Sequence, residues 1–239
     1  MTPPTATAVN PSWKEASGPW TDLGLTLPIF VGYHLGVVLL PVRNAADLVT
    51  FELTSLAENN MFAYSALTLA IAAVYIGLLW VAGRGGSLRW ERFLWVGVEG
   101  VVYAVTMRLI AASVVGNLGL ARGIDNGFAG IVMSLGAGFY EEVMFRVILF
   151  GMGARLLIYL FPLPVPMRRV VLKVVWAILA AAVFSGWHYV GAMGDDFDMV
   201  TFVFRLVCGV VFSAIYWFRG FAPAVWTHAL YDVWVLVLS

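Results

Sequence analysis

The sequence is short of charge, cysteine and histidine. Of its 239 residues only 12% are charged and 62% are hydrophobic, with a mean hydropathy of +0.89, whereas ordinary soluble domains are roughly a quarter charged and about half apolar. That deficit places the chain in a membrane. The single cysteine, Cys208, lies in an apolar stretch and reads as a packing residue. Alone, it excludes an internal disulfide and any thiolate metal cluster. Fourteen Lys and Arg balance fourteen Asp and Glu, so there is no basic surplus for nucleic acid and no acidic tail for a solvated partner segment. Internal repeats, glycine-rich phosphate loops and a soluble second domain are also missing from the sequence.

What the chain has in quantity is apolar sequence. A hydrocarbon core about 30 Å thick needs roughly 20 apolar residues per helix, and runs without period-2 alternation select helices over barrel strands. The expected fold is all-α, a polytopic membrane helix bundle of about seven spans: Leu23 to Val42, Met61 to Ala82, Phe93 to Leu118, Gly127 to Phe161, Val170 to Ala192, Val200 to Phe218 and Phe221 to Leu238. At 1.5 Å per residue the fourth would run to about 52 Å. It must tilt, protrude or break, and a break would make eight. Pro162, Pro164 and Pro166 punctuate the end of that run.

Residues 1–22, rich in Pro, Thr and Ala, read as a flexible tail without the apolar core of a cleavable signal. Residues 23–239 read as one transmembrane domain. The connecting segments alternate in sign: Asp47, Glu52 and Glu58, then Arg84, Arg89 and Arg92, then the nearly neutral Arg122 with Asp125, then Arg155, Arg168, Arg169 and Lys173, then Asp195, Asp196 and Asp198. Lys and Arg bias short loops toward the cytoplasm, so the expected topology is N-terminus inside and C-terminus outside. The compact architecture points to a bacterial inner membrane.

Ionisable groups in hydrocarbon cost at least a few kcal/mol each and mark functional sites by default. Three signatures of this kind sit in the second half of the chain, in order: Glu141-Glu142-x-x-x-Arg146, Phe184-x-x-x-His188 and His228-x-x-x-Asp232. Positions four apart share a helix face, so Glu142 and Arg146 can pair while Glu141 projects about 100° away, toward the bundle interior, as a candidate general base. By the same spacing Phe184 can flank His188, and Asp232 can hold His228 in one orientation. Four such groups on three spans are tolerable only where they meet away from lipid.

Other intramembrane charges carry less information. Glu99, Arg108 and Arg205 can pair with one another or snorkel outward. His34, with no carboxylate four residues on, reads as an interhelical hydrogen bonder outside the site.

At its three signatures the chain resembles the CAAX-protease and bacteriocin-processing family of intramembrane proteases, whose pattern is Glu-Glu-x-x-x-Arg, then Phe-x-x-x-His, then His-x-x-x-Asn or Asp. The resemblance runs from about Gly127 to Leu238. It implies a glutamate-dependent endopeptidase, without a cofactor, that cuts near the C-terminal end of a membrane-anchored or lipid-linked protein. Glu141, helped by His188, would activate water, and His228 with Asp232 would stabilise the oxyanion. Glu142, Arg146 and Phe184 would shape the site. An ionised Asp232 cannot donate to an oxyanion, so it would orient His228 or be protonated. Two other chemistries use the same atoms: a zinc site with Glu141, His188 and His228 as ligands, and a proton relay of a transporter. A non-enzymatic immunity or scaffold protein would keep these groups for helix association.

Overall fold

The structure, a computed structural model, describes residues 19–40, 44, 46, 60–82, 90–115, 127–161, 165–191 and 194–238. All regular structure among them is helical. The helices are α1 (Pro19–Leu25), α2 (Leu27–Leu39), α3 (Met61–Ala82), α4 (Trp90–Val115), α5 (Gly127–Leu160), α6 (Pro166–Trp187), α7 (Met199–Arg219) and α8 (Phe221–Leu238). Five of them, α4 to α8, are long and apolar enough to cross a bilayer, and α2 and α3 contribute shorter apolar stretches. The protein is a polytopic helical membrane bundle.

The first expected span differs from a single helix. It is two pieces meeting at Thr26, whose hydroxyl donates back to the Leu23 carbonyl at 2.8 Å. Pro28 opens α2, where its missing N–H costs nothing. The 13 residues of α2 reach only about 20 Å. Residues 19–22, placed in the tail by composition, belong to α1, and Asp22 is buried; residues 1–18, and position 42 at the far end of that span, lie outside the described residues. The fourth span does not break. It runs unbroken for 34 residues, with i→i+5 hydrogen bonding through Ala137–Met152, the wide helical form that recurs at functional sites. The fifth span starts earlier than expected, at Pro166, and stops just before His188.

Helix surfaces sort by size more than by polarity. Large apolar groups such as Phe62, Leu94, Leu109, Leu179 and Phe218 point outward, as they can when the surrounding solvent is lipid. Small residues fill the contacts, including Ala180 and Ala181 on α6, Gly209 on α7 and Ala224 and Ala229 on α8, the usual way membrane helices approach closely. Buried hydroxyls spend their protons on their own helices: Ser134 on Gly130 O, Ser213 on Gly209 O and Thr227 on Pro223 O.

Helix α8 is central and touches α1, α4, α5 and α7. Its start is fixed from afar. Gly220 turns the chain at φ +100°, a conformation glycine adopts freely, and the Asp22 carboxylate on α1 accepts from Phe221 N at 2.8 Å. Its middle meets α5 at Gly138, where an added Cβ would fall 2.7 Å from Ala229 Cβ and 2.8 Å from its backbone nitrogen. Gly77 of α3, by contrast, faces open space. Gly138→Val should therefore destabilise the purified protein by roughly 1–3 kcal/mol and lower its melting temperature in detergent, whereas Gly77→Ala should not lower it. Equal melting of the two variants would contradict this packing.

Candidate active site

The site grows from the wide stretch of α5, which carries Glu141, Glu142 and Arg146 on buried faces. Glu142 is wholly enclosed. Its Oε1 lies 3.1 Å from Arg146 Nη1 and 2.7 Å from His228 Nδ1 on α8. Arg146 is 1% exposed, and its guanidinium lies 4.2 Å from the Phe184 ring centroid and 4.9 Å from that of Phe212. No aligned hydrogen bond reaches its Nη1 or Nη2 among the described residues. The cation is thus held by one carboxylate and two ring faces.

The two imidazoles are anchored differently. His188, just past the end of α6, bonds through Nδ1 to the Phe184 carbonyl at 2.9 Å. A carbonyl has no proton to give, so Nδ1 carries the hydrogen, and a neutral His188 presents an accepting Nε2. The Phe184 ring stands edge-on to it at 5.0 Å, as their spacing predicts. His228 is stacked on Phe212 at 4.4 Å with planes 21° apart, and Glu142 takes its Nδ1. Its orienting carboxylate is therefore Glu142, not Asp232: Asp232 Oδ2 lies 3.6 Å from His228 Nε2, beyond hydrogen-bond reach.

Glu141 stands between the imidazoles. Its Oε2 is 4.0 Å from His188 Nε2 and 3.8 Å from His228 Nε2, is buried, and has no hydrogen-bond partner among the described residues. Its other oxygen is held by Asn44 Nδ2 at 2.9 Å. Asn44 was missed from the sequence, and its only signal was a lone amide soon after an apolar run. Its backbone N–H donates to the Tyr33 hydroxyl, and its Oδ1 accepts from Ala46 N. His34 joins helices, as expected, through Tyr64 at 3.2 Å and Tyr140 at 2.7 Å.

Glu141, His188, His228 and Asp232 line a cavity of about 700 Å³, shared with Asn44, Arg108 and Arg205 among others. Of the two expectations for Glu99, Arg108 and Arg205, pairing with one another is not what is found. Glu99 takes Arg219 through both oxygens, at 2.5 and 3.0 Å, and also Tyr103. Arg108 lies over Trp234, and Arg205 binds Asp195 at 2.6 Å.

A tetrahedral zinc with bonds near 2.0–2.2 Å would draw its ligand atoms to about 3.3–3.6 Å of one another. Glu141 Oε2 is farther than that from both imidazole nitrogens, and no group of three or more His, Cys, Asp or Glu among the described residues is disposed to hold a metal ion. The side chains as placed do not fit that ion without contraction.

Residues 124–234, just under half of the chain, match the model of a family described as Rce1-like, type II CAAX prenyl endopeptidase Rce1-like. The motif-bearing segment is similar to that family. Searches of curated proteins and of solved structures return no match. The matched segment contains Glu141, Glu142, Arg146, Phe184, His188, His228 and Asp232, while Asn44 reaches the site from outside it.

Removing Arg146 leaves Glu142 buried beside only a histidine, and breaking a buried pair from one side costs about 3–5 kcal/mol. Arg146→Ala should accumulate poorly and melt well below the wild type. Arg146→Lys should not restore stability, since a compact ammonium does not lie flat between two rings. A wild-type melting curve for Arg146→Ala would show that this ion pair is dispensable.

Proposed function

We propose that this protein is an intramembrane endopeptidase that hydrolyses a peptide bond near the C-terminal end of a lipid-linked, prenylated protein. The observation that carries the reading is Glu141 Oε2, a buried carboxylate oxygen without a hydrogen-bond partner among the described residues, facing two imidazole nitrogens at 3.8 and 4.0 Å. A water placed about 2.8 Å from Oε2 and from either nitrogen would see the two at an angle near 85–90°, and could be held by both at once. The description of the matched family supports the reaction class and the prenylated substrate.

Glu141 takes a proton from the water with its free oxygen while Asn44 fixes the other. His188, accepting at Nε2, orients the second hydrogen of the water. Hydroxide adds to the scissile carbonyl, whose oxygen becomes negative and needs a donor. His228 fills that role in its imidazolium form, with Nδ1–H on Glu142 and Nε2–H toward the oxyanion; a pre-positioned donor of this kind is worth about 2.7–4 kcal/mol. The proton held by Glu141 then passes to the leaving amine. Asp232, near Nε2, can assist as a donor only in its protonated form. No metal enters the sequence of steps.

Glu141→Ala should abolish cleavage while the protein still accumulates in the membrane, and a chelator should leave the purified enzyme active. Asn44→Ala should lower kcat more than it raises KM, because it frees the base without touching substrate. Asp232→Asn, which keeps a donor, should retain activity. Mass spectrometry of membrane-protein C-termini from cells carrying wild-type or Glu141→Ala protein tests the reading and identifies targets together. Identical termini at equal expression would refute it.

A further inference from the structure

A second cavity, of about 670 Å³, lies between α1, α5, α6, α7 and the start of α8, and the chemistry above makes no use of it. Arg155 and Lys173 are among its lining residues. Arg155 follows Glu141 by 14 residues on α5, and Lys173 precedes His188 by 15 residues on α6. At 1.5 Å per residue each cation therefore stands about 20 Å along its helix from the reacting groups. The cationic end of this cavity belongs to the opposite end of the bundle.

One wall is a stripe of α5. Val143, Val147, Phe150 and Ala154 recur every three or four residues on one face, an apolar run of about 16 Å. A hydrocarbon core about 30 Å thick gives each leaflet roughly half that depth, so the stripe matches the length of one acyl chain. Trp20 and Trp217 border the cavity, and tryptophan is the side chain that sits where a membrane meets water. Lys173 Nζ lies 5.2 Å from the Trp217 ring centroid, which places the ammonium at that border.

The charges at this end do not cancel. Among the described residues neither Arg155 nor Lys173 forms an ion pair. The carboxylate that lines the cavity with them, Asp22, accepts from Phe221 N at 2.8 Å. Two cations at the head of an apolar slot fit an anion that carries a hydrocarbon tail. A free ion would leave the slot unfilled, and a neutral lipid would leave the cations unmatched.

We propose that this cavity binds an anionic phospholipid, with the phosphate between Arg155 and Lys173 and one acyl chain along the α5 stripe. The occupant is a resident lipid and not the cleaved protein, so the assignment does not depend on the endopeptidase reading.

The test is native mass spectrometry of the full-length protein in detergent, titrated with phosphatidylglycerol or with phosphatidylcholine of the same acyl chains. The wild type should hold one phosphatidylglycerol at least about fivefold more tightly than phosphatidylcholine, as expected for cations near an anionic headgroup. Arg155→Gln with Lys173→Gln should bring the two lipids within about twofold. Arg168→Gln with Arg169→Gln removes equal charge from exposed positions at the start of α6, outside the cavity lining, and should keep the preference. Val147→Trp, which puts a ring into the slot, should weaken phosphatidylglycerol at least about fivefold. The proposal is overturned by a wild type without preference, by a preference that survives loss of Arg155 and Lys173, by one that falls equally without Arg168 and Arg169, or by unchanged affinity in Val147→Trp. Displacement of the lipid by inorganic phosphate alone would mark an ion site without a tail, and displacement by a farnesylated peptide would make the slot a substrate groove; either result also overturns it.

Discussion

Arg146 is fully buried, and everything near it is arranged around the cost of that burial. A guanidinium taken out of water needs compensation from all sides. Glu142 supplies charge from the same helix, and Phe184 and Phe212 supply ring faces from α6 and α7. Because Glu142 also takes His228, the cation indirectly holds α8 as well. Four helices thus converge on one side chain that touches no substrate in the proposed reaction. The groups proposed to carry the chemistry, Glu141 and His188, sit on this scaffold, one residue away on α5 and one turn away on α6.

The same arrangement separates two chemically identical imidazoles. His188 is tied to a neutral main-chain carbonyl and is left with an accepting nitrogen, whereas His228 is tied to a carboxylate that is compatible with a second proton. A difference in what Nδ1 meets becomes a difference in what Nε2 can do. Glu141, between them, has one oxygen occupied and one available, which separates holding from reacting within a single side chain.

Contacts within one helix turn were legible from spacing, and contacts between helices were not. The pairs Glu142 with Arg146 and Phe184 with His188 follow from i, i+4 geometry and are found in contact. The same rule paired His228 with Asp232, but Glu142, 86 residues away in sequence, lies closer and better aligned. Periodicity says which face a residue occupies and nothing about what that face meets. For the same reason Arg219, 120 residues from Glu99, was not foreseen as its partner, nor Asn44 as the partner of Glu141. The continuous α5 could not be read from hydropathy either, since 34 apolar residues are compatible with one long helix or two short ones.

The amide of Asn44 and the carboxylate of Asp22 both come from upstream of the matched segment, yet one holds an oxygen of Glu141 and the other seats the first turn of the histidine-bearing helix. The signature-bearing half is therefore not a self-sufficient module. Besides their packing, the upstream segments supply one hydrogen-bond donor to Glu141 and one acceptor to Phe221 N. Grafting this half onto other leading helices would have to reproduce those two atoms together with the His34–Tyr140 bond.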